Sequence, residues 1–299
     1  MKKSALILFS AVAVAVAAPT YADGRLEKIK SSGEIALGHR DSSIPFSYLD
    51  DKQQPIGYSM DICHEVVKAV KAKLGMDKIK VKLVPVTSST RIPLLANGTV
   101  DLNCGSSTNT KERQAQVTFA PTTFVTATRF VAKKSSNINS LADLKGKTIV
   151  STAGTSNIRW VTGANDQQKL QMNIIPAKDH AEALLTVESG RASAFFMDDI
   201  LLAGLVATSR NPGEWIISKE AYTVEPYAIM EPKNDPEFKK VVDDTIIGMM
   251  KSGELNKLYK KWFESPVPPK NVNLNWPMSD QLKKVVATPT DSPDPNDYK

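Results

Sequence analysis

From Glu34 to Cys104 the chain alternates short apolar strands with amphipathic helices, and few folds accommodate that order. Glu34 to Gly38 reads as a buried strand. Asp61 to Leu74 carries Cys63, Val66, Val67, Val70 and Leu74 at offsets of 3, 4, 7 and 11, a helical stripe that faces a core. Lys78 to Pro85 alternates as a second strand. A short helix then ends at Gly98, and Thr99 to Cys104 is a third strand with Val100, Leu102 and Cys104 on one face. The order β-α-β-α-β predicts an α/β fold, a parallel sheet with flanking helices, which binds ligands beyond the C-terminal strand ends. The unit returns later, with strands at Thr148 to Ser151, Asn173 to Ala177 and Ala192 to Met197. LLANGTVDLNCGS (Leu94 to Ser106) is echoed by LLTVESGRASAFFMDD (Leu184 to Asp199), which predicts two lobes of similar plan.

The start of the chain reads as an export signal. Met1-Lys2-Lys3 precedes an apolar run, Ala5 to Ala18, and Thr20-Tyr21-Ala22 is a small-residue cleavage site. Residues 1–22 are therefore expected to be removed, with Asp23 beginning an exported protein of the periplasm. The apolar run is too short to span a bilayer. The net charge of +6 over 299 residues comes from basic side chains interleaved with acids and without aromatic clusters, which argues against nucleic acid and suits an acidic small molecule. Asp235 to Lys251 and Gly253 to Phe263 read as amphipathic helices. The Pro-, Asp- and Ser-rich tail from about residue 287 is expected to be mobile.

Arg91 and Arg113 are each expected in a helical first turn, where the macrodipole disfavours a cation. Each follows a hydroxyl cluster, Ser88-Ser89-Thr90 and Ser106-Ser107-Thr108, and the second helix is expected to start near Asn109 or Thr110. An anion bound by N–H groups, hydroxyls and guanidiniums would remove the cost, so the pair points to a small ligand with more than one carboxylate. Arg40, just past the first strand, is a third carboxylate partner, and His39 beside it is read as structural. Thr155 and Ser156 form a second helix-opening anion cradle, and His180 lies past another strand end. Asp198 or Asp199 can receive an ammonium group, the other then capping a helix. Cys63 and Cys104, both on core-facing positions, form either a disulfide or two buried thiols. The histidines show no metal-ligand spacing, and neither metal nor cofactor is expected.

These residues resemble the periplasmic solute-binding proteins that feed polar amino-acid ABC transporters. The likeness runs from about Leu26 to Asn273 and is carried by GHRDSSIPFSY, GYSMDIC, PVTSSTRIPLLANGTVDLNCGSSTNTKERQ, LADLKGKTIV, AKDHAEALLTVESGRASAFFMDD and KSGELNKLYKKWF. The resemblance implies the type II periplasmic-binding-protein plan, two α/β lobes joined by two hinge strands. Lobe 1 would be 23–127 plus 221–299, and lobe 2 128–220. It implies a monomer that takes L-glutamate or L-aspartate to a membrane permease. Residue by residue, it implies that Arg113, Thr108 and Ser156 hold the α-carboxylate, with Thr155 beside them. Asp198 with Ser106 would receive the ammonium group, and Arg40, Ser88, Arg91 and His180 the side-chain carboxylate. Relatives usually carry Thr at the position of Ser156. The alternative, a dehydratase-like periplasmic enzyme on the same fold, needs an acid or base free to move protons; here each candidate already has a ligand-holding role.

Overall fold

Two five-stranded sheets in the computed structural model, which describes residues 24–299, share one wiring. The expected signal peptide, residues 1–22, lies outside the described residues. The first sheet runs Lys80–Pro85, Glu34–His39, Leu102–Asn103, Met230–Pro232, Val117–Phe119. The second runs Asn173–Ala177, Thr148–Thr152, Ala194–Asp198, Thr128–Lys133, Trp215–Ile217. In each sheet the first three strands are parallel, and the fourth runs against both its neighbours. That fourth strand follows a crossing between the lobes. Phe124–Thr126 precedes Thr128–Lys133, Glu225–Tyr227 precedes Met230–Pro232, and the two crossing segments pair with each other. The sequence echo of Leu94 to Ser106 in Leu184 to Asp199 falls on the third strand of each sheet.

Lobe 1 begins with helices α1 (Arg25–Ser32), α2 (Tyr58–Leu74) and α3 (Arg91–Ala96). Lobe 2 carries α4 (Ser156–Gln168), α5 (His180–Glu188) and α6 (Asp199–Thr208), and the chain returns to lobe 1 for α7 (Pro236–Ser252), α8 (Glu254–Phe263) and α9 (Asp280–Ala287). The stripe of α2 is buried through Cys63, Val66 and Val70, and α2 packs on α7 and α8. Phe124, from the first crossing, stacks on Phe263 of α8 with centroids 4.8 Å apart, which ties the crossing to the lobe 1 core. Lobe 2 has its own apolar cluster, with Phe130, Ile149, Val161, Ala194 and Phe196 fully buried.

Three local expectations are corrected. The strand from Thr99 to Cys104 keeps a ladder only over Leu102–Asn103, and its polar face is buried too, with Asp101 and Asn103 at 0 % exposure. Alternation therefore marks which lobe surface each side meets, not a wet face. No α-helix starts near Asn109; the chain turns and makes a single 3-10 turn, Arg113–Ala115. The tail from 287 is held in place. The Thr290 carbonyl accepts from the Thr122 N–H at 2.8 Å, the Asp291 carbonyl accepts from Asn109 Nδ2 at 2.8 Å, and Tyr298 is buried with its hydroxyl 2.8 Å from Thr122 Oγ1. A polar composition foretells a lack of core, yet one aromatic anchor and backbone hydrogen bonds suffice to dock a short segment. Cys63 and Cys104 are joined as a disulfide, which pins α2 to the loop that opens at Gly105.

Candidate functional site

Six parallel strands, three from each lobe, end on one small space. Arg40 follows Glu34–His39, Ser88 follows Lys80–Pro85, and Ser106 and Thr108 follow Leu102–Asn103. From lobe 2, Thr155 and Ser156 follow Thr148–Thr152, His180 follows Asn173–Ala177, and Asp198 ends its strand. The narrow cavity between them is lined by Ser88, Arg91, Ser106, Thr108, Thr155, Ser156, His180 and Asp198, together with Asn157, Met197 and Leu201. Arg40 and Arg113 are equally buried but stand back from this lining. The lobes touch around it: Arg113 Nη2 donates to the Gly154 carbonyl at 3.3 Å, Thr108 Oγ1 lies 3.3 Å from Ser156 Oγ, and Tyr227 donates to Asp198 Oδ2.

The site is rich in donors that the protein does not use. Twelve buried side-chain polar atoms among the described residues lack a protein partner, and half are here: Arg40 Nη1, Ser88 Oγ, Arg91 Nε, Ser106 Oγ, Arg113 Nε and His180 Nε2. Buried polar groups are ordinarily bonded, so their convergence marks a place built for an outside acceptor. Arginine ion pairs among the described residues belong to Arg25, Arg129 and Arg159, not to these three. Arg91 instead donates to the Ser106 carbonyl at 2.7 Å and to Ser107 Oγ at 2.8 Å, and Arg113 to the Thr108 carbonyl at 2.8 Å. Burial, and after it the charges of Arg113 and Arg40, hold Arg91 well below the ordinary arginine value. Burial brings Arg40 and Arg113 down to about 10. A bound anion relieves all three at once.

Burial, then the charges of Arg40 and Arg91, keep the His180 imidazole neutral, its pKa well below the usual value. Its Nδ1 lies 2.8 Å from Thr152 Oγ1. With that hydroxyl donating to Nδ1, the ring proton sits on Nε2 and is free for an acceptor, the tautomer an anion selects. Asp198 accepts from Asn157 Nδ2 at 2.7 Å, and burial followed by the charge of Glu225 pushes its carboxyl up to about 8. Asp199 is the residue the ambiguity excluded: its Oδ1 accepts from Thr126 Oγ1 at 2.5 Å and from the Ile200 N–H at 2.8 Å, and its Oδ2 faces Arg129 Nε at 3.2 Å. It fastens a crossing segment and the start of α6, leaving Asp198 to the cavity.

Two hydroxyls are committed elsewhere. Thr155 caps α4, accepting from the Ile158 N–H at 3.2 Å and donating to the Thr152 carbonyl at 2.7 Å. Ser156 Oγ donates to Glu225 Oε2 at 2.8 Å. Glu225 and Tyr227 were missed in the sequence because Glu-Pro-Tyr occupies a β-rich return segment with no motif around it. Asn157 was missed because it sits inside a helix start whose hydroxyls drew the attention. The usable signal was an acid on a crossing strand that is otherwise apolar.

A family model for bacterial extracellular solute-binding proteins, family 3, matches residues 35–265. The chain belongs to that family. This solute-binding protein is 51% identical over 290 residues to the L-glutamate/L-aspartate-binding protein of Pseudomonas aeruginosa, with 96% of each chain covered. It is 47% identical over 287 residues to the glutamate/aspartate import solute-binding protein of Escherichia coli K12, covering 96% of this chain and 95% of that one. Among solved structures, an ancestral arginine-binding protein bound to arginine matches with a TM-score of 0.69 and 28% identity, over 77% of this chain and 98% of the other. The cysteine-binding protein of Campylobacter jejuni matches with a TM-score of 0.69 and 26% identity, over 80% and 92%. The fold of this solute-binding protein is thus the type II periplasmic-binding plan of two lobes.

Proposed function

We propose that this solute-binding protein captures L-glutamate or L-aspartate between its lobes in the periplasm and delivers it to the permease of an ABC transporter. Arg113 and the Thr108 hydroxyl take the α-carboxylate, with α4 presenting its N-terminus at Thr155 and Ser156 from the opposite lobe. Asp198, assisted by Ser106, takes the ammonium group. Arg40, Arg91, neutral His180 and Ser88 take the side-chain carboxylate. Phe124–Thr126 and Glu225–Tyr227 act as the hinge between lobe 1 (23–127 and 221–299) and lobe 2 (128–220), so closing brings the two half-sites together.

The observation that carries this reading is the set of six unpartnered polar atoms on three arginines, a neutral histidine and two serines, set opposite one aspartate. A ligand with two negative groups and one positive group matches that set. The relatives named for glutamate and aspartate, at 47% and 51% identity, support the same ligand class and favour a carrier over a dehydratase-like enzyme. Calorimetric titration of protein stripped of ligand by unfolding and refolding tests it. Tight binding of L-glutamate and L-aspartate, without binding of L-glutamine or L-lysine, is expected; tight binding of L-glutamine or L-lysine instead overturns it.

A further inference from the structure

Two buried carboxylates lie near the ammonium end of the cavity, Asp198 in its lining and Glu225 behind Ser156, where one would balance a ligand ammonium group. Asp198 and Glu225 are 3 % and 4 % exposed, and no arginine, lysine or histidine among the described residues makes an ion pair with either. A continuous chain of hydrogen bonds joins them. Asn157 Nδ2 donates to Asp198 Oδ1 and to Thr128 Oγ1, each at 2.7 Å, and Thr128 Oγ1 lies 3.5 Å from Glu225 Oε1. Glu225 also accepts from Ser156 on the cavity wall, and Glu225, Ser156 and Thr108 together line an outer groove beside the crossing segments. The pair is therefore in touch with solvent from behind while Asp198 faces the ligand space in front.

We propose that Glu225 is a further residue of the ligand site: linked to Asp198 through Asn157 and Thr128 at the hinge, its charge helps Asp198 hold a proton in the free protein, and that proton is released to solvent when the ligand's ammonium group arrives. The inference rests on the ammonium assignment made above for Asp198. Burial, and after it the nearby charge of Glu225, favour the protonated form of Asp198 until a cation is supplied. On capture the O–H bond of the Asp198 carboxyl breaks, the proton passes to the buffer, and the ammonium group, which keeps all its own protons, replaces it. The groups facing the pair are Tyr227 on the crossing strand, Asp199 at the start of α6, and Arg91 and Arg113 from lobe 1. Tyr227 keeps its proton, since burial and Asp198 raise its phenol well above the ordinary value. The arginines stay charged, as guanidiniums do in proteins, and a bound anion favours that form further. Asp199 is already bonded to Thr126 and Arg129. His180, across the cavity, is neutral throughout and donates no proton to the medium.

Proton linkage then makes affinity pH-dependent. Below the Asp198 value the proton competes with the ammonium group, so binding of L-glutamate strengthens as pH rises from 6 to 8 and levels off above. The test is calorimetric titration of L-glutamate into the ligand-stripped protein, in phosphate and in Tris, whose ionisation enthalpies differ. The buffer-dependent part of the heat counts protons. Net proton release on binding is expected at pH 7, and markedly less at pH 8.5. Glu225→Gln keeps an acceptor for Ser156 but removes the like charge, so release at pH 7, measured at L-glutamate concentrations that saturate the variant, falls by half or more. A heat independent of buffer at pH 7 in the unmodified protein, or an unchanged proton count in Glu225→Gln, overturns the inference. The unmodified protein decides the first point even where the variant fails to fold. Absence of L-glutamate binding in the unmodified protein overturns the functional reading itself, which separates the two failures.

Discussion

Arg91 occupies the environment least like that of an ordinary surface arginine. It is buried, lies close to two other guanidiniums, and retains an unused Nε. Removing it leaves a side-chain carboxylate short of its charge partner inside a desolvated site, a loss on the order of 3–5 kcal/mol. Arg91→Ala is therefore expected to weaken L-glutamate binding by about 10²–10⁴-fold. Any weak binding of L-glutamine, which brings no charge to that position, should fall by less than about tenfold. Competition assays against L-glutamate would show equal losses if Arg91 had no part in reading the second carboxylate. Arg91 was legible in the sequence because a cation at a helix start runs against the macrodipole, whereas Arg113 was picked by the same argument although it lies in a 3-10 turn and not at a helix start. Glu225 was not, because an acid on a β-rich segment is usually a solvated face. Its burial arises from the crossing strand passing under Ser156 of the other lobe, a contact 69 residues apart in sequence.

Among the elements, the loop from Gly105 to Arg113 does the most, since it brings Ser106, Thr108 and Arg113 to the site without regular structure of its own. It is anchored at both ends. The Cys63–Cys104 disulfide fixes its start to α2, and Asn109 and Gln114 bond to the Asp291 carbonyl of the docked tail. Reduction of the disulfide, or Cys63→Ser with Cys104→Ser, is expected to cost about 2–4 kcal/mol of stability. Urea unfolding with and without reductant measures it, and an unchanged midpoint would remove the disulfide from the stability account. Truncation after Thr288 deletes the Thr290, Asp291 and Tyr298 contacts. It should lower the melting temperature and weaken L-glutamate binding several-fold through loss of loop order. Equal affinity in the truncated protein would show that the tail supports the fold without supporting the loop. Strands and amphipathic helices were readable from periodicity; the docked tail was not, because composition reports how much core a segment can make and not whether a neighbouring surface is ready to receive it.

The molecule as a whole is arranged so that neither lobe holds a complete site. The lobes meet closely at Gly154, whose φ is +77° and where a Cβ would lie 2.7 Å from Ser89 Cα. Only a residue without a side chain permits that contact with the lobes together. Gly154→Ala is expected to hold the lobes apart and to weaken L-glutamate binding at least about tenfold, while the left-handed backbone costs only about 1–3 kcal/mol of stability. Small-angle scattering in the presence of saturating ligand checks this: the variant should keep the larger radius of gyration of the open form. Contraction equal to that of the unmodified protein would place the closing contact elsewhere.

Much of this protein was determined locally and could be read in order along the chain. Period-2 and period-3.6 patterns specified the strands and most helices, the internal echo specified two lobes of one plan, and strand-end positions specified where a ligand would sit. The hydroxyls and arginines beside those ends support the proposal of an anionic ligand, because local electrostatics act within a turn or two of chain. Tertiary structure decided what depends on residues far apart in sequence meeting in space. It joined Cys63 to Cys104, chose Asp198 over Asp199 by giving Asp199 to Thr126 and Arg129, turned the Ser156 hydroxyl toward Glu225, and docked the tail on Asn109 and Thr122. Each of these rests on burial and pairing between segments. A charge or a hydroxyl has no fixed partner until the fold removes water from around it and leaves one neighbour within hydrogen-bond reach.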